Sequence, residues 1–322
     1  MAKKKQSSAS KTSTAPSEAP QAEQSAKTAS EQKKSQSTAS NPVVAGLRPF
    51  VHPSGLAAFD TAAAQLVSDD EALAWSTLLP AMIVGSDLML SRRMRFVTRA
   101  NLAKMLDKIL VRQELFFETK SEAPLIVDAG ANIGLATYFF KRIFHNCRIV
   151  ALEPNPKTAE IFKLNISRNG YADIEFVEAA LSDANGAVPF WVSASDSGSS
   201  SLVHARAPSD AQVVSVPGVS LRDLLNEPVA FLKLDIVGSE AAVLRDAKEK
   251  LALVDQIYCE CYPSSKSEGN NLTEVLSVLA SAGFHTAVSP SLADEGRRRF
   301  RAGTAVKKDR QYTVFARRNG LG

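Results

Sequence analysis

Residues 125–140, LIVDAGANIGLATYFF, constrain this chain more than any other stretch: a short apolar run meets a glycine-bearing turn and passes at once into an amphipathic helical pattern. The run from Leu125 to Val127, bracketed by Pro124 and Gly130, fits a strand buried on both faces of a parallel sheet. Gly130 and Gly134 put no Cβ where backbone must approach a ligand, and Asn132 between them tolerates left-handed dihedrals better than most residues. A helix starting near Gly134 aims its free N–H groups and positive dipole end at a negative ligand group, a carboxylate or a phosphate.

A second buried-strand pattern, RIVALEP, begins at Arg148 and stops at Glu153, 23 positions after Gly130. An acid there is placed to accept both hydroxyls of a ribose, so the expected ligand carries adenosine. Asn132 stands where the second glycine of a G-x-G-x-x-G turn would admit a pyrophosphate. That weakens a dinucleotide and favours S-adenosylmethionine, which needs no pyrophosphate pocket. The adenine is expected near residues 180–183, with Asp183 ending the third strand pattern, EFVEAALSD.

Six segments then arrive in order: VDAGANIG (127–134), VALEPNP (150–156), NISRNG (165–170), ALSD (180–183), FLKLDIVGSEAAVL (231–244) and YCECY (258–262). Together they resemble the FkbM family of S-adenosylmethionine-dependent methyltransferases, over a little more than half the chain. The resemblance implies a Rossmann-like, doubly wound sheet of seven strands and methyl transfer, most often to a hydroxyl oxygen. It also implies S-adenosylmethionine as cofactor, with Asp128, Gly130, Asn132 and Gly134 at its amino-acid end and Glu153 on its ribose. One departure stands out: the family's D-x-E-G-x-E reads here Asp235, Val237, Gly238 and Glu240, so the first glutamate is missing.

At 322 residues and 45% hydrophobic content the chain can bury one sizeable α/β core. Residues 1–42 hold no Val, Ile, Leu, Phe, Tyr or Trp, and their seven lysines against three glutamates equal the whole chain's net charge of +4. A disordered tail is expected there, with an organelle-targeting sequence as the alternative, and a nucleic-acid partner is not expected. No apolar stretch reaches the ~20 residues that span a bilayer. Three cysteines, Cys147, Cys259 and Cys261, indicate no disulfide framework, and a reducing, cytoplasmic compartment fits.

Residues 43–110 read as a helical lead-in to a methyltransferase domain over 111–318, with Leu102, Met105, Leu106 and Ile109 on one helix face. Between the third and fourth strands, VPFWVS, a serine-rich run and AQVVSVP read as an inserted hairpin. FHTAVSP and QYTVFARR close the chain as two strands, and four arginines between them, Arg297, Arg298, Arg299 and Arg301, read as a solvated loop.

Charges interrupt the fourth strand, FLKLDIVG, where Phe231, Lys233 and Asp235 share one face. A buried charge needs a partner, and Glu260 on YCECY is the expected one for Lys233. Asp235, at the carboxyl edge beside the first strand, is the expected general base or orienting group, with Lys233 and Glu260 beside it. The alternative is that Asp235 only caps the helix that follows. His204 in the insert is the reserve base. Metal assistance would draw on Asp255 and Glu260, and no metal is expected. Three function classes follow: a methyltransferase acting on a hydroxyl of a small molecule, sugar or lipid; an NAD-linked oxidoreductase; or a binding protein that keeps the pocket without catalysis.

Overall fold

A computed structural model describes residues 41–66, 68–99, 102–193, 200–202, 211–261, 272–290 and 311–320. The expectations for residues 1–40, for His204, for most of the serine run and for the four arginines fall outside these residues.

The chain enters through α1 (Pro42–Leu47), α2 (Leu56–Ala63) and α3 (Glu71–Ala81). It continues into three short antiparallel strands, β1 (Ile83–Val84), β2 (Asp87–Met89) and β3 (Arg93–Arg95). This segment is therefore not purely helical. Arg95 and Arg168 converge on Asp87, and Asn165 holds both the N–H and the carbonyl of Arg95, so these strands are fastened to the helix that carries Asn165 and Arg168. Next comes α4 (Leu102–Leu106), which widens into a π-helix over Asp107–Val111. There the N–H of Arg112 reaches back five residues to the Asp107 carbonyl, at 2.8 Å.

The doubly wound unit follows: β4 (Leu125–Ala129), α5 (Leu135–Ile143), β5 (Arg148–Leu152), α6 (Pro156–Asn169) and β6 (Ile174–Val177). The third strand pattern breaks after Val177. Ala180–Ser182 forms a separate strand, β7, which joins β8 (Gly186–Val192) and β9 (Gln212–Ser220) in a second small sheet. β8 and β9 pair antiparallel, as the hairpin reading expects. The chain returns through α7 (Leu221–Leu224), β10 (Val229–Leu234), α8 (Glu240–Asp246), β11 (Val254–Cys261), α9 (Leu272–Ser281), β12 (Phe284–Pro290) and β13 (Tyr312–Arg318).

The main sheet has seven strands in the order β12-β13-β11-β10-β4-β5-β6, and β13 alone runs against the others. After β4, the chain winds outward through β5 and β6, then returns to lay β10 on the other side of β4. The strand order reverses at the β4/β10 boundary, and ligands of such sheets bind outside the carboxyl ends of the strands at that point. Alternation along β10 separates two cores. Phe231 stacks on Phe117, their centroids 4.5 Å apart, on the face covered by the lead-in and α5, whereas Leu232 and Leu234 pack with residues of α8 and α9 on the other. The three cysteines are buried. Among the described residues no helix is long and apolar enough to cross a membrane.

Candidate active site at the carboxyl edge

β4 ends in the turn expected from its glycines. Gly130 takes φ +81°, and a Cβ there would sit 2.0 Å from the Asp235 carbonyl oxygen, so no other residue lets the loops after β4 and β10 approach so closely. Asn132 is left-handed at φ +50°, and its side-chain oxygen accepts the Ile133 N–H at 2.8 Å. Gly134, left-handed at φ +86°, caps α5 and backs onto the Phe162 ring of α6.

Glu153 lies just past β5 with its carboxylate buried. One oxygen accepts the N–H of Asn132 and the other that of Asn155, both at 2.9 Å, so the acid ties the β4 turn to the start of α6. Burial pushes Glu153 up to about 7, against the opposing pull of these two N–H groups.

Asp128, fully buried at the end of β4, accepts the Thr137 hydroxyl at 3.1 Å on one oxygen and lies 3.0 Å from the Lys233 ammonium on the other, an ion pair outside hydrogen-bond geometry. Lys233 also donates to the Gly130 carbonyl at 2.9 Å. Burial alone lowers Lys233, but Asp128 and Asp235 outweigh it and hold the lysine above its ordinary range. The expected Lys233–Glu260 pair is therefore not the one formed. Strand register explains this: Lys233 stands directly opposite Asp128 on β4 and Tyr258 on β11, and Glu260 lies two residues farther along.

Glu260 instead pairs with Lys108, a π-helix residue that the sequence does not single out. The Lys108 ammonium also stands 3.4 Å from Asp235 Oδ2, and 5.8 Å over the Tyr258 ring. Burial lowers Lys108, with Asp235 pulling the other way. Tyr258 donates to Glu260 at 2.8 Å, and Gln311 donates to the other Glu260 oxygen. A π-bulge is the available signal, since these widenings recur at functional sites, but no residue pattern announces one.

The loop after β10 carries a second feature that residue order does not reveal. Val237 is left-handed at φ +52°, unfavourable for a β-branched residue. Its carbonyl accepts the buried Ser201 hydroxyl at 2.6 Å. Ser201 pairs with Trp191 of β8, so the insert holds this loop directly. Neighbouring Ser200 meets the Asn155 side chain at 3.5 Å. Glu240 braces the turn before the helix, with both carboxylate oxygens on the Gly238 N–H at 3.0 Å.

Asp128, Gly130, Asn132, Gly134, Glu153, Lys233, Asp235 and Glu260 thus gather along the ends of β4, β5, β10 and β11. Asp183 does not join them: it follows β7, is exposed, and meets the Ser182 hydroxyl at 3.3 Å. Asp255 opens β11 at the amino end, five residues and about 17 Å of strand from Glu260, too far to share an ion. Among the described residues no group of three His, Cys, Asp or Glu side chains is suited to a metal.

Residues 128–286 match the methyltransferase FkbM domain. The chain is 28% identical over 223 residues to Methyltransferase 1 of Beauveria bassiana (strain ARSEF 2860), spanning 60% of this chain and 87% of that protein. It is 35% identical over 81 residues to Methyltransferase sdnD of Sordaria araneosa, 25% of this chain and 31% of that one. Among solved structures, methyltransferase FkbM from Methylobacillus flagellatus KT aligns with 81% of this chain and 59% of its own, less than two thirds, at 15% identity and a TM-score of 0.41.

Proposed function

Taking as premise that this chain carries the FkbM methyltransferase domain over residues 128–286, we propose that it uses S-adenosylmethionine to methylate a hydroxyl oxygen on a small molecule, sugar or lipid. The observation that carries the reading is the pairing of Glu153 with the turn at Gly130 to Gly134. Each Glu153 oxygen accepts one N–H and keeps a lone pair for a further donor, which fits two ribose hydroxyls. The start of α5 offers free N–H groups for a carboxylate.

When bound, S-adenosylmethionine supplies an electrophilic methyl on a sulfonium. Transfer is an in-line displacement, so the residues around it must hold the acceptor oxygen opposite the methyl and take up its proton. Asp235 is the group proposed to receive that proton, because an alcohol's proton leaves together with bond formation and a carboxylate within reach accepts it. Lys108 fixes Asp235 from one side, and the Ser201–Val237 contact holds the loop that follows. The Lys233–Asp128 pair stands behind them as scaffold.

Calorimetry with S-adenosylmethionine, S-adenosylhomocysteine and NAD tests the donor, and labelled S-adenosylmethionine with cell extract tests transfer. Binding of NAD alone overturns the donor assignment; donor binding with no labelled product in any extract overturns the transfer.

A further inference from the structure

A cavity of about 510 Å³ opens at the far ends of α5 and α6 from the candidate active site. The active-site turn lies where the two helices begin, and the cavity is bounded by Arg142 and His145 at the end of α5 and by residues 169–173 at the end of α6. With nine and fourteen residues, these helices separate the two places by roughly 13 to 20 Å.

The cavity wall gathers positive charge from separate elements. Arg92 comes from the turn between β2 and β3, Lys141 and Arg142 from the last turn of α5, and His145 from just beyond. Two of these are committed elsewhere in part. Lys141 donates to the Cys147 carbonyl at 2.5 Å, and Arg142 donates to the Pro49 carbonyl at 2.9 Å while lying over the Phe50 ring. Arg92, His145 and the Tyr171 hydroxyl have no hydrogen-bond or ion-pair partner among the described residues.

Helix ends alone do not account for this arrangement. The carboxyl ends of two helices carry about half a negative charge each, and Lys141 and Arg142 already offset them. Arg92 is additional, and the single acidic side chain in the wall, Asp173, leaves the balance positive. Burial raises the Tyr171 hydroxyl, with Tyr138 adding to it, and Arg92 and Arg142 draw it back, so both guanidinium groups act on that phenol.

We propose that this cavity binds a phosphate monoester bearing a small ring, with the phosphate between Arg92 and Arg142 and the ring against Tyr171. Guanidinium forks suit phosphate oxygens, and the aromatic wall suits a ring face. The volume lies within the ~300–1,000 Å³ of small-molecule sites and exceeds what inorganic phosphate alone fills.

The test is calorimetry on the full chain with phenyl phosphate, inorganic phosphate and phenol. Phenyl phosphate should bind more tightly than either fragment. Arg92→Ala, at an exposed side chain, should weaken it roughly tenfold or more with the melting temperature unchanged, and Arg92→Lys should recover part of the loss. No phenyl phosphate binding at about 10 mM, well above the millimolar range of weak sites, overturns the proposal, as does equal affinity in wild type and Arg92→Ala. Inorganic phosphate binding as tightly as phenyl phosphate overturns the ring assignment.

Discussion

The Lys233 ammonium stands 3.0 Å from Asp128, directly across the β10/β4 boundary, and the two charges neutralise each other at the buried centre of the sheet. Neither has water to fall back on: Asp128 is fully buried and Lys233 is 3% exposed. Lys233→Met keeps the length of the side chain and strands the carboxylate, which costs about 3–5 kcal/mol in such pairs. Thermal or urea unfolding of the variant should therefore show a large loss; a melting temperature within a degree or two of wild type would mean that Asp128 finds another partner.

Gly130 sets the distance between the loops after β4 and β10. Alanine there must fit a methyl 2.0 Å from the Asp235 carbonyl oxygen while holding φ +81°. Contact that close forces backbone movement, and the left-handed conformation adds about 1 kcal/mol. Gly130→Ala should lose stability and turnover together, because the atom displaced belongs to Asp235. Normal turnover in a folded Gly130→Ala protein would show that the spacing of the loops is not critical.

Much of the sheet and part of the site can be read from residue order, for identifiable reasons. β4 and β5 show as short apolar runs at Leu125–Val127 and Ile149–Leu152, β10 as an apolar run broken by Lys233, and the Gly130 turn and Glu153 lie close together in sequence. Alternation along β10 separates Phe231 and Lys233 from Leu232 and Leu234, as the strand period requires. Pairings across strands are not legible, because register decides them: charge alone matches Glu260 to Lys233, and the register puts Asp128 and Tyr258 there. Lys108 is out of reach for a similar reason, since its partners lie 127 and 152 residues away and the π-turn shifts its direction off the apolar stripe at Leu102 and Leu106. EFVEAALSD looks continuous, and only the pairing of β7 with β9 divides it.

Lys108 ties the lead-in to the site. It stands between Asp235 and the buried Glu260, so Lys108→Met leaves two carboxylates without their shared cation. Glu260 retains Tyr258 and Gln311, which limits the structural loss to about 1–3 kcal/mol. Asp235 loses the group that orients it, so turnover should fall by a larger factor than donor affinity. Steady-state kinetics alongside calorimetry separates these effects, and an equal fall in both would place Lys108 in donor binding instead.

Glu153 should make stability and donor binding respond to pH in opposite senses. Its carboxyl is raised from 4.5 to about 7 in the folded chain, so the folded state holds the proton more tightly than the unfolded one. The resulting stabilisation, about 3 kcal/mol at most, is present in full below 4.5 and is lost as the pH rises through about 7. The ionised carboxylate is the better acceptor for ribose hydroxyls, because a charged acceptor makes the stronger hydrogen bond. Affinity for S-adenosylmethionine should therefore increase between about pH 6 and about pH 8, by up to about tenfold per unit, while the contribution of Glu153 to stability declines. Glu153→Gln keeps one acceptor for the N–H of Asn132 or Asn155 and removes the titration, so donor affinity should fall roughly tenfold and lose this dependence on pH. Calorimetry across that interval decides it: a wild-type affinity that stays flat, or a glutamine variant that retains the slope, removes Glu153 from the donor site.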